Sequence, residues 1–231
     1  MAEIEGYQKV IDGARAVLDH YRPHIPIHPD WPMVALGTVC EDIRTGPFGS
    51  LLHRTDYVLD GVPLVNPQDI VNGQISTEKV KTVSPETRDR MKEFTLRERD
   101  IVIARRGEMG RCAIVPAEMD GWLCGTGSCV IRLSPACDVR FVAHQLRSPR
   151  VAAHLEQHSV GVTMKNLNHG LLNALLIPLP PLATQQQIVS EIESEQRLVA
   201  ANRELIERFE QKIATTLARI WGEEQSAPEV S

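Results

Sequence analysis

IPLPPLATQQQIVSEIESEQRLVAANRELIERFEQKIATTLARIW, residues 177–221, decides the architecture of this chain. Pro178, Pro180 and Pro181 fix φ and withhold three backbone donors, so the lead-in is extended. Thr184-Gln185-Gln186-Gln187 then reads as a capping box, in which Thr184 and Gln187 each satisfy the other's backbone amide. Behind it, Ile188, Ile192, Val199, Ile206, Phe209, Ile213 and Ile220 fall at intervals built from threes and fours. That pattern is a coiled-coil seam, interrupted by polar Glu195, Asn202 and Thr216 and widened by Leu198, Leu205 and Leu217. A helix from 185 to 221 runs about 55 Å at 1.5 Å per residue, longer than a small domain is wide. One reading packs it on its own domain as an amphipathic element. Its length and sustained seam favour a partner helix and a role in assembly.

Working outward, residues 3–21 form a second helical pattern, with Ile4, Tyr7, Ile11, Ala14, Val17, Leu18 and Tyr21 on one face. Pro23, Pro26, Pro29 and Pro32 make the following segment an extended linker. Between the helices, short apolar runs predict strands at 31–43, 57–65, 100–104, 111–115 and 128–133. Gly46-Pro47, Asp60-Gly61, Asn72-Gly73 and Asp120-Gly121 read as turns. Residues 140–158 read as one helix or two short ones, with Ser148-Pro149 as the candidate break, and 170–176 as a short helical segment. Strands and short helices without a βαβ rhythm define an α+β fold: one mixed α/β domain flanked by an N-terminal helix and a long C-terminal coiled-coil helix. The expected boundaries are 1–30 for the first helix and linker, 31–182 for the domain, 183–222 for the coiled-coil helix and 223–231 for a disordered tail.

The chain carries a net charge of −5, unevenly placed. Residues 31–150 hold 16 Lys and Arg against 15 Asp and Glu, whereas residues 185–231 hold 5 against 9. The helices are acidic and the middle is arginine-rich, which argues against indiscriminate coating of nucleic acid but leaves room for a local basic face. No run approaches the length of a membrane span, and the acidic, polar MAEIEGYQKV is no signal peptide. Five cysteines, an odd number, fit a reducing cytoplasm. The gaps between Cys112, Cys124, Cys129 and Cys137 lack a two-residue zinc knuckle, so these are expected to be reduced core cysteines. The eight histidines offer no pair at metal spacing on one helix face.

IPLPPLATQQQIVSEIE, ANRELIERFEQKIATTLARIWGEE and EIEGYQKVIDGARAVLDHYRP resemble the conserved-region helices of the specificity (S) subunit of type I restriction-modification systems. TGPFGSLLH, GVPLVNPQDI, LRERDIVIARRGEMGRCAIV, GWLCGTGSCVIRL and GVTMKNLNHGLLNALLIPLPPL resemble segments of its target recognition domains. The chain resembles one half of such a subunit, either a natural half-subunit or a fragment, with one recognition domain where the usual S subunit has two. The resemblance implies a protein that does no chemistry and needs no cofactor. It supplies DNA sequence specificity to modification subunits that methylate adenine, and through them to a restriction subunit that translocates and cuts. The residues agree: Val65-Asn66-Pro67-Gln68 fails as a methylase tetrapeptide, and no P-loop, cofactor glycine loop or His-Glu zinc pattern is present in the sequence.

Four segments are candidates for duplex DNA. Thr45 to Ser50, with Arg44 and Arg54 nearby, offers hydroxyls and amides for a phosphate; a plain loop around a buried Phe48 is the alternative. Arg105, Arg106 and Arg111 lie in a turn between two strands, where guanidinium forks suit guanine or phosphate. Pairing of at least one of them with Glu108 or Asp100 competes with that role. Thr126 and Ser128 sit in a glycine turn that permits close backbone approach. Lys165, Asn166 and Asn168 fall in a polar loop, in which Asn suits adenine and Lys suits phosphate. The seam residues Ile188, Ile192, Val199, Asn202, Ile206, Phe209, Ile213 and Ile220 are expected to pair with a second copy in a homodimer. Asn202 and Thr216 would hold register. A coiled-coil protein-interaction adaptor, or the specificity module of a fused methylase-nuclease, are the other readings.

Overall fold

The computed structural model of the chain describes residues 2–21, 23, 25, 27–48, 51–159 and 167–221. Ser50, Lys165, Asn166, residues 223–231 and the side chain of Ile220 lie outside the described residues. The chain divides into two compact units, Ile25–Val189 and a helical unit made of Met1–His24 with Ser190–Ser231. Helix α1 (Ala2–Leu18) precedes β1 (Met33–Ala35), β2 (Cys40–Thr45), β3 (Tyr57–Val58) and β4 (Val62–Val65). A small hairpin of β5 (Ile70–Val71) and β6 (Gln74–Ile75) leads to β7 (Lys81–Val83) and α2 (Pro85–Arg90). Strands β8 (Ile101–Ala104), β9 (Cys112–Ile114), β10 (Leu123–Cys124) and β11 (Ser128–Leu133) follow. Helices α3 (Val139–Arg147), α4 (Pro149–His158) and α5 (His169–Ala174), strand β12 (Leu176–Pro178) and helix α6 (Leu182–Trp221) come last. The chain is thus α+β, with a helix at each flank.

Two four-stranded sheets build the larger unit. One is antiparallel in the order β2-β11-β8-β9; the other runs β10-β4-β7-β3, with β10 parallel to β4. Leu64, Val65 and Val83 from the second sheet and Val102, Ala104, Ala113 and Val130 from the first share one hydrophobic core. Every residue of β8 is fully buried, so this strand is a continuous apolar run with both faces covered. At its head, Asp100 accepts from Arg132 Nε at 2.8 Å and Nη2 at 2.7 Å, a bidentate pair with the carboxylate 1% exposed.

Three sequence expectations need correction. The expected strand at 31–43 is interrupted by a 3₁₀ turn, Leu36–Val39, because Leu36 is fully buried there and Thr38 bonds back to the Ala35 carbonyl at 2.7 Å. The run at 57–65 is two strands, since Asp60 takes a left-handed φ of 56° and turns the chain. Helix α6 starts at Leu182, so Thr184 is inside its first turn and cannot be its cap; the Thr184 and Gln185 amides donate to the Pro181 carbonyl at 2.9 and 3.1 Å. The work at this end is done by Gln185, 1% exposed, which accepts from the Asp138 amide at 2.9 Å and donates to the Pro180 carbonyl at 2.8 Å.

The helical unit corrects the reading of the seam. Ile206 packs with Ile11 and Leu18 of α1, and Val199, Phe209 and Ile213 pack against the same cluster. Tyr7 stacks on Phe209 with centroids 4.9 Å apart, Tyr21 donates to Glu195 at 3.1 Å, and Arg15 pairs with Glu210. Rising numbers on α1 meet falling numbers on α6, so the two form an antiparallel hairpin. The seam is therefore filled in cis by the chain's own first helix. Ile188 and Ile192 are buried. Asn202 is exposed and bonds back to the Leu198 carbonyl at 2.8 Å, so its amide serves its own helix. What remains open is a flank. Val10 and Val17 on α1 and Leu198 and Leu205 on α6 are 50%, 70%, 63% and 42% exposed. In the antiparallel register Val10 falls beside Leu205 and Val17 beside Leu198, giving two apolar rungs on one face.

Candidate nucleic-acid interface

Strand register brings several candidate loops to one end of the sheets. Cys129 lies opposite Thr45, and Ser128 opposite Ala104, so β2 ends, β8 ends and β11 begins on one edge. In the second sheet Cys124 lies beside Val65, so β10 and β4 also end together. Short backbone bonds join the two edges. Gly46 donates to the Ser128 carbonyl at 2.9 Å, Gly125 to the Val65 carbonyl at 2.8 Å, and Arg105 to the Gly127 carbonyl at 2.8 Å. The Leu167 amide in turn donates to the Arg105 carbonyl at 2.9 Å.

Glycines allow this closeness. A Cβ on Gly46 would stand 2.0 Å from the Gly125 carbonyl oxygen, and one on Gly125 2.4 Å from Asn66 Oδ1. No side chain fits at either position. Gly110 takes a φ of +82°, and a Cβ there would meet the Leu146 carbonyl at 2.5 Å. The arginine turn is thereby fitted against the end of α3.

The individual residues divide into those brought together and those held elsewhere. Thr45, Arg105, Arg106, Arg111 and Thr126 belong to the junction, and Asn168 adjoins it through Leu167. Arg106 is exposed, while Arg105 and Arg111 are half-buried, with the Arg111 Nε buried and lacking a hydrogen-bond partner. Ser128 is also at the junction, but it is fully buried and its hydroxyl donates to the Val65 carbonyl at 3.4 Å. It has no surface to offer a phosphate in this conformation. Asn168 accepts from the Leu171 amide at 2.8 Å as the cap of α5, which leaves its amide nitrogen as the group facing outward chemistry. Arg44 is held by Asp42 at 2.9 Å and by the Glu93 carbonyl. Arg54 leaves the opposite end of its sheet, because Val83 faces both Tyr57 and Val62 while Val65 closes the other end. Phe48 is 62% exposed, so the alternative of a plain loop around a buried Phe48 does not hold. Asp100 pairs with Arg132 and not with the arginine turn.

Two features escaped the sequence. Asn66 and Pro67 press on the glycine turn, with the Pro67 ring 2.8 Å from a Cβ position on Gly127. Their legible signal was the three-residue spacing of Asn66 and Asp69, which cap each other's amides. His154 and His158 stand one turn apart on α4 with rings stacked at 4.2 Å, a pairing for which the sequence reading had no place. Cys112, Cys124, Cys129 and Cys137 are buried free thiols. Burial pushes Cys112 up to about 12 and Cys129 up to about 11, the latter against the Thr45 hydroxyl and the Arg105 charge. They are inert and protonated at neutral pH. Among the described residues no helix is long and apolar enough to cross a membrane.

The chain has counterparts among known proteins. Residues 29–211 match the family model of the type I restriction modification DNA specificity domain, and the chain belongs to that family. It is 28% identical over 179 residues to the type I restriction enzyme EcoBI specificity subunit of Escherichia coli, a match covering 76% of this chain and 36% of that protein. Among solved structures, it shares its fold with a chain from a study of complex assembly and conformational transition in the type I R-M system. That match has a TM-score of 0.62 at 20% identity and covers 94% of this chain and 53% of the other. The HsdS subunit from Thermoanaerobacter tengcongensis superimposes with a TM-score of 0.59 at 20% identity, covering 93% of this chain and 52% of that one. The chain thus spans between about a third and a half of these relatives.

Proposed function

We propose that this chain reads one half of a bipartite DNA site and carries modification subunits to it, without catalysing a reaction itself. The observation that carries the proposal is the stitched junction of loops 45–48, 65–67, 105–111 and 125–128 at one end of the sheets. A rigid set of loops with arginines and backbone amides can fix register on phosphates and present side chains to base edges. Arg106, Arg111, Thr45, Thr126 and the Asn168 amide are the groups we assign to DNA, together with Lys165 and Asn166, which precede Leu167 in the sequence. The free thiols accord with a cytoplasmic setting.

The second half-site would come from a second copy. Since α1 already fills the α6 seam, pairing through that seam is replaced by pairing through the flank of Val10, Val17, Leu198 and Leu205. Two copies related by a two-fold axis read inverted half-sites separated by a spacer that the helices set. The test is the methylome of cells expressing this chain with its modification subunits. Adenine methylation at an interrupted palindrome is expected, and Arg106→Ala should weaken it across all sites. Methylation that does not depend on this chain would refute the proposal.

A further inference from the structure

We infer that Arg105 is a positioning residue for the recognition loops and not a contact to DNA, an inference that rests on the DNA-reading function proposed above. Three hydrogen bonds of this one residue join three loops. Its amide donates to the Gly127 carbonyl at 2.8 Å, and its carbonyl accepts from the Leu167 amide at 2.9 Å. Its Nε donates to the Leu167 carbonyl at 3.0 Å. Arg105 therefore satisfies both backbone groups of Leu167, a residue with no exposed surface. Asn168 follows directly and caps α5, so the clamp sets where residues 167–174 begin.

The half-burial of the side chain supports the assignment. Arg105 is half-buried, and its charge reaches the buried Cys124 and Cys129 thiols, where it opposes the upward push of burial. Arg106, exposed on the same turn, is in the better place for that role. Two adjacent arginines thus divide the labour: one holds the loops and the next meets the duplex.

Arg105→Gln separates these roles. Glutamine Nε2 stands the same number of bonds from the backbone as arginine Nε, so it keeps a donor for Leu167 and removes the charge. Arg105→Ala removes both. Two measurements are made on the full chain: hydrogen exchange of the Leu167, Leu171 and Leu172 amides without DNA, and binding to a random-sequence duplex pool with modification subunits present. The bound fraction is sequenced at several salt concentrations. Arg105→Ala should speed exchange and reduce enrichment of the preferred sequence, each by about tenfold, the range for losing a charged hydrogen bond. The slope of log affinity against log salt should stay unchanged, and Arg105→Gln should restore both quantities toward wild type. If Arg105→Gln binds as weakly as Arg105→Ala and both flatten the slope by about 0.9, Arg105 touches a phosphate and the inference is wrong. Unchanged exchange in Arg105→Ala overturns it equally. A wild-type complex without sequence preference, in which exchange still responds to Arg105, would refute the DNA-reading function and uphold the clamp.

Discussion

Neighbouring residues on α6 should have opposite consequences, and Leu205→Asp against Ile206→Ala tests this. Ile206 is 7% exposed in the cluster with Ile11 and Leu18, so truncation to Ala should cost about 2–5 kcal/mol of stability in the helical unit. Leu205 is 42% exposed, so Asp there should change the fold's stability by about 0.5 kcal/mol or less. Its effect should fall on association. Val10, Val17, Leu198 and Leu205 have roughly half or more of their surface left to bury, worth about 1 kcal/mol each. Eight such side chains across a two-fold interface give about 8 kcal/mol, which is comparable to the association cost of about 4–15 kcal/mol. The proposed dimer would therefore be weak on its own, and one Asp per copy would be enough to abolish it. Sedimentation velocity over a concentration series should show wild type passing from monomer to dimer while Leu205→Asp stays monomeric with an unchanged melting curve. A Leu205→Asp protein with wild-type concentration dependence would refute the assignment of this face.

Two further outcomes concern the larger unit. Arg132→Met leaves the Asp100 carboxylate, 1% exposed, without its bidentate partner and should cost about 3 kcal/mol, read as a lower urea midpoint; an unchanged midpoint would count against it. Burial lowers His144 from 6.5 to about 4, aided by Arg147 and Arg140 and opposed by Asp138. The unfolded chain takes this proton first as pH falls, so stability is lost between about pH 6.5 and 4, by up to about 3 kcal/mol. His144→Gln should flatten that part of the stability profile, and identical acid profiles for the two proteins would show that other groups govern it.

The long helix, the first helix, the broken helix at Ser148-Pro149 and most strand positions were legible because each depends on local periodicity or punctuation. The partner of the seam was not. Ile206 and Phe209 announce that α6 has a helix beside it, but a heptad pattern carries no label for whose helix that is. Cap chemistry misled for a similar reason: Thr184 and Gln187 have the right spacing, yet the prolines before them had already started the helix. In the site, the loops Thr45–Phe48, Arg105–Arg111 and Gly125–Ser128 were recognisable from glycines, hydroxyls and arginines. Which way each side chain turns depends on tertiary packing, so Ser128 turned inward and Arg105 became a fastener. Asn66 was passed over because its place against Gly125 exists only once β4 and β10 lie side by side.

The α1–α6 hairpin has a consequence for how the protein is made. Tyr7 and Phe209 stack although they stand 202 positions apart in the sequence, so α1 leaves the ribosome long before its partner exists. At about 5–20 residues per second, that delay is roughly 10–40 seconds. During it Ile11 and Leu18 have no native cover, while residues 25–189 can collapse around their own core. The helical unit is then the last part to close, and the apolar face of the first helix waits uncovered until α6 has been made.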